Sequence, residues 1–508
     1  MELHSLESAI GAENPVRLID AFADRLELGQ LGFVVRQLNE QGRPAFDSRV
    51  FIKLYFYGYM NGLRSSRALE KECVRNLEVQ WLIGRLVPNY HTIADFRKDN
   101  PKALRQTFRL FVSFLKNAEL VEGKNIAIDG TKVRAHNSKK NNFNPKKIER
   151  HLKYIDEKTN EYLGTLDEMD RKQQPEKVKD IKEKIKRLKN NKIKYEALGD
   201  FLEDNNQAQV STTDPDSRAL LVQGQVVEVC YNTQTAVDAK HKLIVATHTI
   251  NRNDRNAMSA IALEAKSNLT SKGFTAILDK GYHNGREIQA CSDASIQTIC
   301  AHAEVVNSNE KGTTPEYVVT HFTYNKKSDT YTCPQGHTLR TTGSWHIKSR
   351  QRDSHRFRKF RTPMCTSCPV KHLCTGRADG RREIQRSEYA DAIEENNQRY
   401  HQNQELYRKR QEINEHIFGT IKRKWGYNHT NLTGLEKVNG EMALIMTVYN
   451  FKRVLSILKF DDFLKALKKW NPDYKGISLS FLKMAFKSLR LSPSFFPPRL
   501  FSSKIRVA

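Results

Sequence analysis

Residues 124–133 read KNIAIDGTKV and residues 273–282 read GFTAILDKGY. In the first stretch Ile126 and Ile128 alternate with Ala127, the period of a short strand, which is expected to end at Asp129. In the second, Phe274, Ile277 and Leu278 form the apolar body and Asp279 stands at its end. Each apolar run closes on an aspartate with a glycine just beyond it. A carboxylate at the carboxyl end of a sheet strand borders the crevice where ligands bind, and a glycine lets backbone or substrate approach closely. Asp-Gly is also a common turn, so either aspartate alone says little. If the two strands are neighbours, both carboxylates can address one hard cation.

Working outward, VVEVCYNTQTAVD (226–238) and KLIVATHTI (242–250) read as strands joined by a turn around Asp238–Lys242. A helix from about Asp254 to Leu269 then leads into the second aspartate strand. A helix between two strands is a crossover unit, so an α/β fold with a mixed sheet is expected. Residues 1–120 read as mostly helical, with Phe51, Leu54, Tyr55 and Tyr59 at helical spacing. Thr92 and Asp95 fit a capping box opening a short helix on which Arg97 and Lys98 are expected to be exposed. With Arg64 and Arg67 they suit a helix-turn-helix reader or a backbone clamp, although a bundle with a solvated basic face gives the same pattern.

Two insertions interrupt the mixed sheet. Residues 146–200 carry Ile148, Leu152, Ile155 and Leu166, then, after Pro175, Val178, Ile181, Ile185 and Leu188, the pattern of an antiparallel helical hairpin. Its lysines suit a solvated face or a DNA contact equally. Residues 316–380 read as a strand-poor, basic, cysteine-bearing insertion. Helix dominates again over 383–423 and 432–458. The expected organisation is a helical domain over 1–120, a catalytic domain over 121–455 holding both insertions, and a basic tail over 456–508.

The 508 residues carry 84 Lys and Arg against 58 Asp and Glu, a net +26, with 38% hydrophobic residues. The apolar share suffices for real cores, and the charge favours a polyanionic partner. No run of 18 or more apolar residues is present and the first residues show no secretory pattern, so no membrane association and a cytoplasmic location are expected. Cysteine is too sparse for a secreted disulfide scaffold. Cys333, Cys365, Cys368 and Cys374 nevertheless form a spaced set that can hold a structural Zn²⁺, with His337 as a substitute ligand; reduced, unliganded thiols are the alternative. Arg350, Arg352, Arg356, Arg358, Lys359 and Arg361 lie among them, a cluster suited to phosphates.

A third acid must come from YRKRQEINEHIFGTIKRKWG (407–426). Glu415 and Lys422, seven apart, share a helix face, and Glu412 is the rival carboxylate. A surface helix of paired Glu and Lys reads the same way.

Taken in order, FDSRVFIKLYFYGYMNGLRSSRALE, PNYHTIADFRKDNP, IAIDGTKVRAHNSKKNN, TDPDSR, YNTQTAVD, ILDKGYHN and RKRQEINEHIFGTIKRKWGY resemble the bacterial insertion-sequence DDE transposases, in the IS-four superfamily and its IS-eleven-eighty-two-like group. The resemblance spans about residues 10–455. It implies an N-terminal helical DNA-binding domain and an RNase H-like catalytic domain. It also implies an acidic triad of Asp129, Asp279 and Glu415. Tyr407, Arg410, Glu415 and Lys422 resemble the family's tyrosine-arginine-glutamate-lysine signature, but with four residues between Arg410 and Glu415 where three are usual.

Phosphodiester transfer needs an in-line nucleophile and relief of charge on phosphate oxygens, which Mg²⁺ (or Mn²⁺) held by carboxylates supplies. The implied activity is cleavage of element ends and joining of the 3′-hydroxyl to target DNA. Its partners would be duplex DNA with terminal inverted repeats, target DNA and a second copy of the chain on the ends. Nucleoid association follows from the same reading. A related nuclease that cuts without joining, or a noncatalytic domesticated DNA-binding descendant, would carry much of the same sequence.

Overall fold

The computed structural model describes residues 5–33, 45–171, 175–222, 226–302, 313–348 and 354–474. Helices α1 (Leu6–Ala9), α2 (Pro15–Asp24), α3 (Leu28–Leu31), α4 (Ser48–Met60), α5 (Ser66–Arg75), α6 (Leu77–Leu82), α7 (Tyr90–Asp99) and α8 (Pro101–Asn117) open the chain. The helical expectation for this region holds. α7 begins differently from expectation: Asn89 caps it, its side chain accepting from the Thr92 N–H at 2.8 Å, so Thr92 already lies inside the helix.

The main sheet is built from β1 (Asn125–Arg134) and five later strands; β2 (Asn142–Phe143) and β3 (Val210–Ser211) pair separately at the base of a helical hairpin. That hairpin, α9 (Pro145–Arg171) and α10 (Pro175–Asp204), is the first insertion expected. Ile148, Ile155, Ile181 and Ile185 are buried in it, as their spacing requires. β4 (Arg218–Val222) and β5 (Val226–Asp238) follow, then β6 (Leu243–Ile250), α11 (Met258–Leu269), β7 (Phe274–Leu278), α12 (Gly285–Asp293) and β8 (Ile296–Cys300). β6, β5 and β1 are antiparallel neighbours, whereas β1, β7 and β8 run parallel. β4 extends the sheet beside the first half of β5. β1 is longer than its apolar run: it continues through Gly130, Thr131 and Lys132, so Asp129 lies within the strand rather than at its end. The polar half is held because nine consecutive residues, Ile126 to Arg134, pair with β5.

The second insertion departs from expectation. β9 (Thr323–Asn325), β10 (Thr330–Thr332), β11 (Thr338–Thr341), β12 (His346–Lys348), β13 (His355–Arg361) and β14 (Ile384–Ser387) form their own antiparallel sheet, with α13 (Lys371–Cys374) beside it. Strands of three to seven residues rich in Thr and Arg lack the apolar alternation that marks a strand in sequence. Its core is small: Phe322, Tyr331, Leu339, Phe360 and Ile384.

α14 (Ala390–Gln402) covers β8, the Asn396 side chain bonding the Cys300 backbone on both sides, and α15 (Gln404–Phe418) crosses β1 and β7. α16 (Leu435–Leu455) is buried along most of its length between α8 and β6. Gly440 permits the crossing with α8, since a Cβ there would stand 2.4 Å from Pro101 Cα. α17 (Phe460–Lys469) packs on α2, and Phe463, Leu467 and Trp470 are buried. Residues 456–474 are thus part of the core and not of a basic tail; 475–508 lie outside the described residues. The N-terminal helices share one continuous apolar core with the sheet and α16, so the expected boundary at 120 is not a boundary in packing.

Arg97 shows how tightly that junction is built. It is buried, donates to the Tyr59 hydroxyl at 2.6 Å and stands 3.5 Å from the fully buried Glu441 of α16, correcting the expectation that it is exposed. Removing one partner of a buried ion pair leaves the other charge uncompensated. Arg97→Leu is therefore expected to cost about 3 kcal/mol in urea unfolding. Arg67→Ala, at an exposed position, should change stability by less than about 0.5 kcal/mol. Equal stability of the Arg97 variant and the parent would contradict a structural role.

Candidate active site

Parallel pairing of β1 and β7 matches Asn125 with Thr275, Ile126 with Ala276 and Ala127 with Ile277. The offset is constant at 150 (125 to 275, 127 to 277); the pairing stops there, with Asp129 two residues further along β1 and Asp279 directly after Leu278, the last residue of β7. The adjacency on which the two-aspartate reading depended is present. The Asp129 carboxylate accepts from the Gly130 N–H at 2.8 Å, and that of Asp279 from the Gly281 N–H at 2.8 Å. Both side chains are only part-buried, Asp129 retaining 26% exposure, so a ligand can reach them. Burial pushes the Asp129 carboxyl up to about 6; the charges of Asp279 and Asp254 push the same way, against the Gly130 N–H and Arg410.

α15 supplies the counter-charge. Arg410 Nη1 lies 3.6 Å from Asp129 Oδ2, and the guanidinium packs near the Tyr407 ring, 5.8 Å from its centroid. Past α15 a π-helical stretch, Gly419–Lys424, carries Lys422 onto β1, where its ammonium donates to Thr131 Oγ1 at 3.2 Å and to the Lys132 carbonyl at 3.0 Å. Burial, above all, lowers the Lys422 pKa. Asp129, Asp279, Tyr407, Arg410 and Lys422 therefore gather along β1 and β7.

Glu415 does not join them here. It is exposed, while its neighbours Ile413, Asn414 and Ile417 are buried, and the acids that act most on Asp129 are Asp279 and Asp254. The usual three-residue spacing after Arg410 falls on Asn414, which is 1% exposed and whose amide atoms have no hydrogen-bond partner among the described residues. The rival Glu412 is exposed and bound to Lys242 at 2.6 Å, at the β5–β6 turn. Among the described residues no group of three or more His, Cys, Asp or Glu is arranged to hold a metal ion.

Sequence reasoning missed the layer beneath the aspartates. Asp254 accepts from the side-chain amides of Asn232 and Gln234, both at 2.8 Å, and pairs with Lys132 at 3.1 Å. Burial pushes its carboxyl up, but the Lys132 charge and the amide donors outweigh it and hold it below the ordinary range. The buried Tyr282 hydroxyl donates to Gln234. Gly130 is required by this layer: a Cβ would stand 2.3 Å from Gln234 Nε2 and 2.4 Å from Asp254 Oδ1. The signal in sequence was the pair of amides two apart, Asn232 and Gln234, on one face of an otherwise apolar strand.

The basic candidates divide. Arg64 donates to the Gly426 carbonyl at 2.9 Å and to the His429 carbonyl, and stacks on Tyr427, so it fastens the N-terminal helices to the segment after α15. Arg67 is exposed over the Tyr90 ring, and Lys98 is half-buried and paired with Asp95 and Asp99. In the second insertion Arg356, Arg358 and Arg361 pair with Glu388, Asp329 and Glu383, so these expected phosphate contacts are already engaged; Arg350 and Arg352 lie outside the described residues.

Two family models match the chain. The transposase DDE domain covers residues 332–455, and the transposase domain DUF772 covers residues 4–99. The first contains Arg410, Glu415, Lys422 and the four spaced cysteines; the second contains Arg64, Arg67, Arg97 and Lys98. Both matches support an insertion-sequence transposase acting on DNA, and a DDE domain suggests an enzyme of the polynucleotidyl transferase type. No curated protein matches the sequence. No helix among the described residues is long and apolar enough to cross a membrane.

The Asp129 shift has a direct consequence for stability. Its folded pKa is raised from 3.8 to about 6, so stability is lost as pH rises through that window. Asp129→Asn is expected to stabilise the protein at pH 7 by about 1–2 kcal/mol. The gain should vanish below the unfolded pKa. Urea titrations at both pH values measure this, and a destabilised variant at pH 7 would show that the Arg410 pair outweighs burial.

Proposed function

We propose that the chain is a DNA transposase of the IS-four superfamily, IS-eleven-eighty-two-like group, that cleaves the ends of an insertion element and joins the 3′-hydroxyl to target DNA. The observation that carries this reading is that the adjacent parallel strands β1 and β7 bring Asp129, within β1, and Asp279, directly after β7, to the same end of the sheet. Three antiparallel strands followed by two parallel ones are also the strand order an RNase H-like domain requires, which supports that fold.

The donor set suits a hard divalent cation such as Mg²⁺ or Mn²⁺. Asp129 and Asp279 offer carboxylate oxygens, and the Asp129 carboxyl, raised by burial first and by the charges of Asp279 and Asp254 after it, is a charge that a dication would stabilise. Asp129 and Asp279 would hold the metal, and Glu415, exposed on α15, is assigned as the third acid on the family resemblance. Such a metal supplies activation of the attacking oxygen and stabilisation of the leaving one. Arg410, now the counter-ion of Asp129, becomes free to neutralise a phosphate oxygen. Lys422 fixes the β1 segment beyond Asp129, and Tyr407 holds Arg410 in place. The Asp254 layer keeps that floor rigid.

DNA binding is assigned to the exposed Arg67 and the half-buried Lys98 of the N-terminal helices, with Arg64 and Arg97 as framework. End recognition by terminal inverted repeats, capture of target DNA and pairing of two protomers on the ends follow from the same reading, as does a cytoplasmic, nucleoid-associated location.

Single substitution of Asp129, Asp279 or Glu415 by Ala is expected to lower Mg²⁺-dependent cleavage and joining at least about 100-fold while sparing end binding, which rests on dispersed basic contacts. Glu412→Ala should stay within a few-fold of the parent. Strand transfer with a pre-cleaved end, run beside cleavage of an intact end, separates a transposase from a nuclease. Cleavage with no joining on any target would establish the nuclease instead. Full activity in Glu415→Ala with loss in Glu412→Ala would overturn the choice of third acid.

A further inference from the structure

The second insertion carries a feature that the catalytic reading does not use. Cys333, Cys365, Cys368 and Cys374 come from separate pieces of chain, yet they line one cavity of about 20 Å³, together with His337 and Leu339. All four are free thiols and none is fully buried. Cys333 opens the turn Cys-Pro-Gln-Gly-His after β10: its N–H donates to the His337 carbonyl at 3.0 Å, and its carbonyl accepts from the Gly336 N–H at 2.9 Å. Gly336 has φ of 78°, the left-handed conformation that closes so tight a turn. Across the cavity, Cys365 lies in the short 3-10 turn Pro363–Ser367, Cys368 follows it, and Cys374 ends α13.

The surroundings explain why such a cluster is useful. Five buried side chains form the insertion's core, and Cys333 and Cys374 are packed at its edge. Residues 363–374 contribute no strand to the sheet, so only turns and side chains tie them to it. A core of that size needs an additional cross-link. Thiolates are soft ligands that select zinc, and four of them leave no open position for chemistry.

We propose that Cys333, Cys365, Cys368 and Cys374 bind one structural Zn²⁺ that fastens the 363–374 segment to the insertion's sheet. The side chains line the cavity without standing at ligand spacing, so binding draws them inward. The site is independent of Asp129 and Asp279, and the proposal does not rest on the transposase reading. His337 lines the same cavity and is the substitute ligand; four thiols already complete a tetrahedral set, so it is left out of the proposed one.

The test uses the full chain purified without chelator under reducing conditions. Elemental analysis should find one zinc per chain, and replacement by Co²⁺ should give the intense charge-transfer and d–d bands of tetrahedral thiolate coordination. Cys374→Ala should lose the metal, Cys374→His should retain it, and His337→Gln and Asp129→Ala should leave the stoichiometry at one. The conservative Cys374→His variant keeps the comparison meaningful if the alanine variant fails to fold. A parent without zinc that takes up no Co²⁺ would overturn the proposal, as would full metal retention in the Cys365→Ser, Cys368→Ser double variant. Thiols found paired as disulfides in the freshly reduced parent would also overturn it. Loss of zinc in His337→Gln with retention in Cys374→Ala would replace the proposed ligand set.

Discussion

Two carboxylates, one within β1 and one just past the end of the parallel strand β7, repel each other, and the site is organised around that repulsion. The parallel pairing of β1 and β7 carries Asp129, within β1, and Asp279, just past the last residue of β7, to the same end of the sheet. Part-burial strengthens the repulsion because less water screens it. The protein answers with one backbone N–H on each carboxylate and with Arg410 from α15 beside Asp129. Asp254 adds a third negative charge nearby, but Lys132 neutralises it and two amides hydrogen-bond it, leaving the part-buried pair as the charge a cation can still relieve. A hard cation is the partner that arrangement suits best.

The rest of the chain holds those strands still. α16 lies between α8 and β6, and Asn450 and Asn439 bond the β6 backbone, so the sheet edge is closed by side-chain amides instead of another strand. Phe22, Phe111, Phe114, Phe451, Phe463 and Trp470 join the first helices to the last described ones through ring contacts. Arg64 and Arg97 lock the same junction by polar contacts. The region matching the DUF772 transposase domain is therefore part of the scaffold of the site as well as its basic surface.

Apolar periodicity made the strands and the inserted hairpin legible in the sequence, because those features depend on local patterns; that the two aspartate strands are neighbours stood there only as a condition, since pairing depends on the whole sheet. Arg97 was not legible: a basic residue two positions from a helix end is ordinarily exposed, and only the distant Glu441 explains its burial. The small sheet of the second insertion escaped notice because its short strands are rich in Thr and Arg and each places at most one or two apolar residues, such as Tyr331, Leu339, Phe360 and Ile384, in the core. Helix 404–418 could be read from its pattern, but not the side it turns to β1. That choice depends on packing of Ile413, Asn414 and Ile417 and on the π-helical stretch that follows, which carries Lys422 onto β1 while Glu415 stays exposed.

The central claim is that Asp129 and Asp279 form one divalent-cation site which Glu415 completes. Electron paramagnetic resonance of Mn²⁺ titrated into the full chain, with and without duplex DNA, tests it without relying on turnover. The account predicts saturable Mn²⁺ binding in the parent, loss of that binding in both Asp129→Asn and Asp279→Asn, and a weakening in Glu415→Gln that is larger when DNA is present. Undiminished Mn²⁺ binding in the two aspartate variants would contradict it.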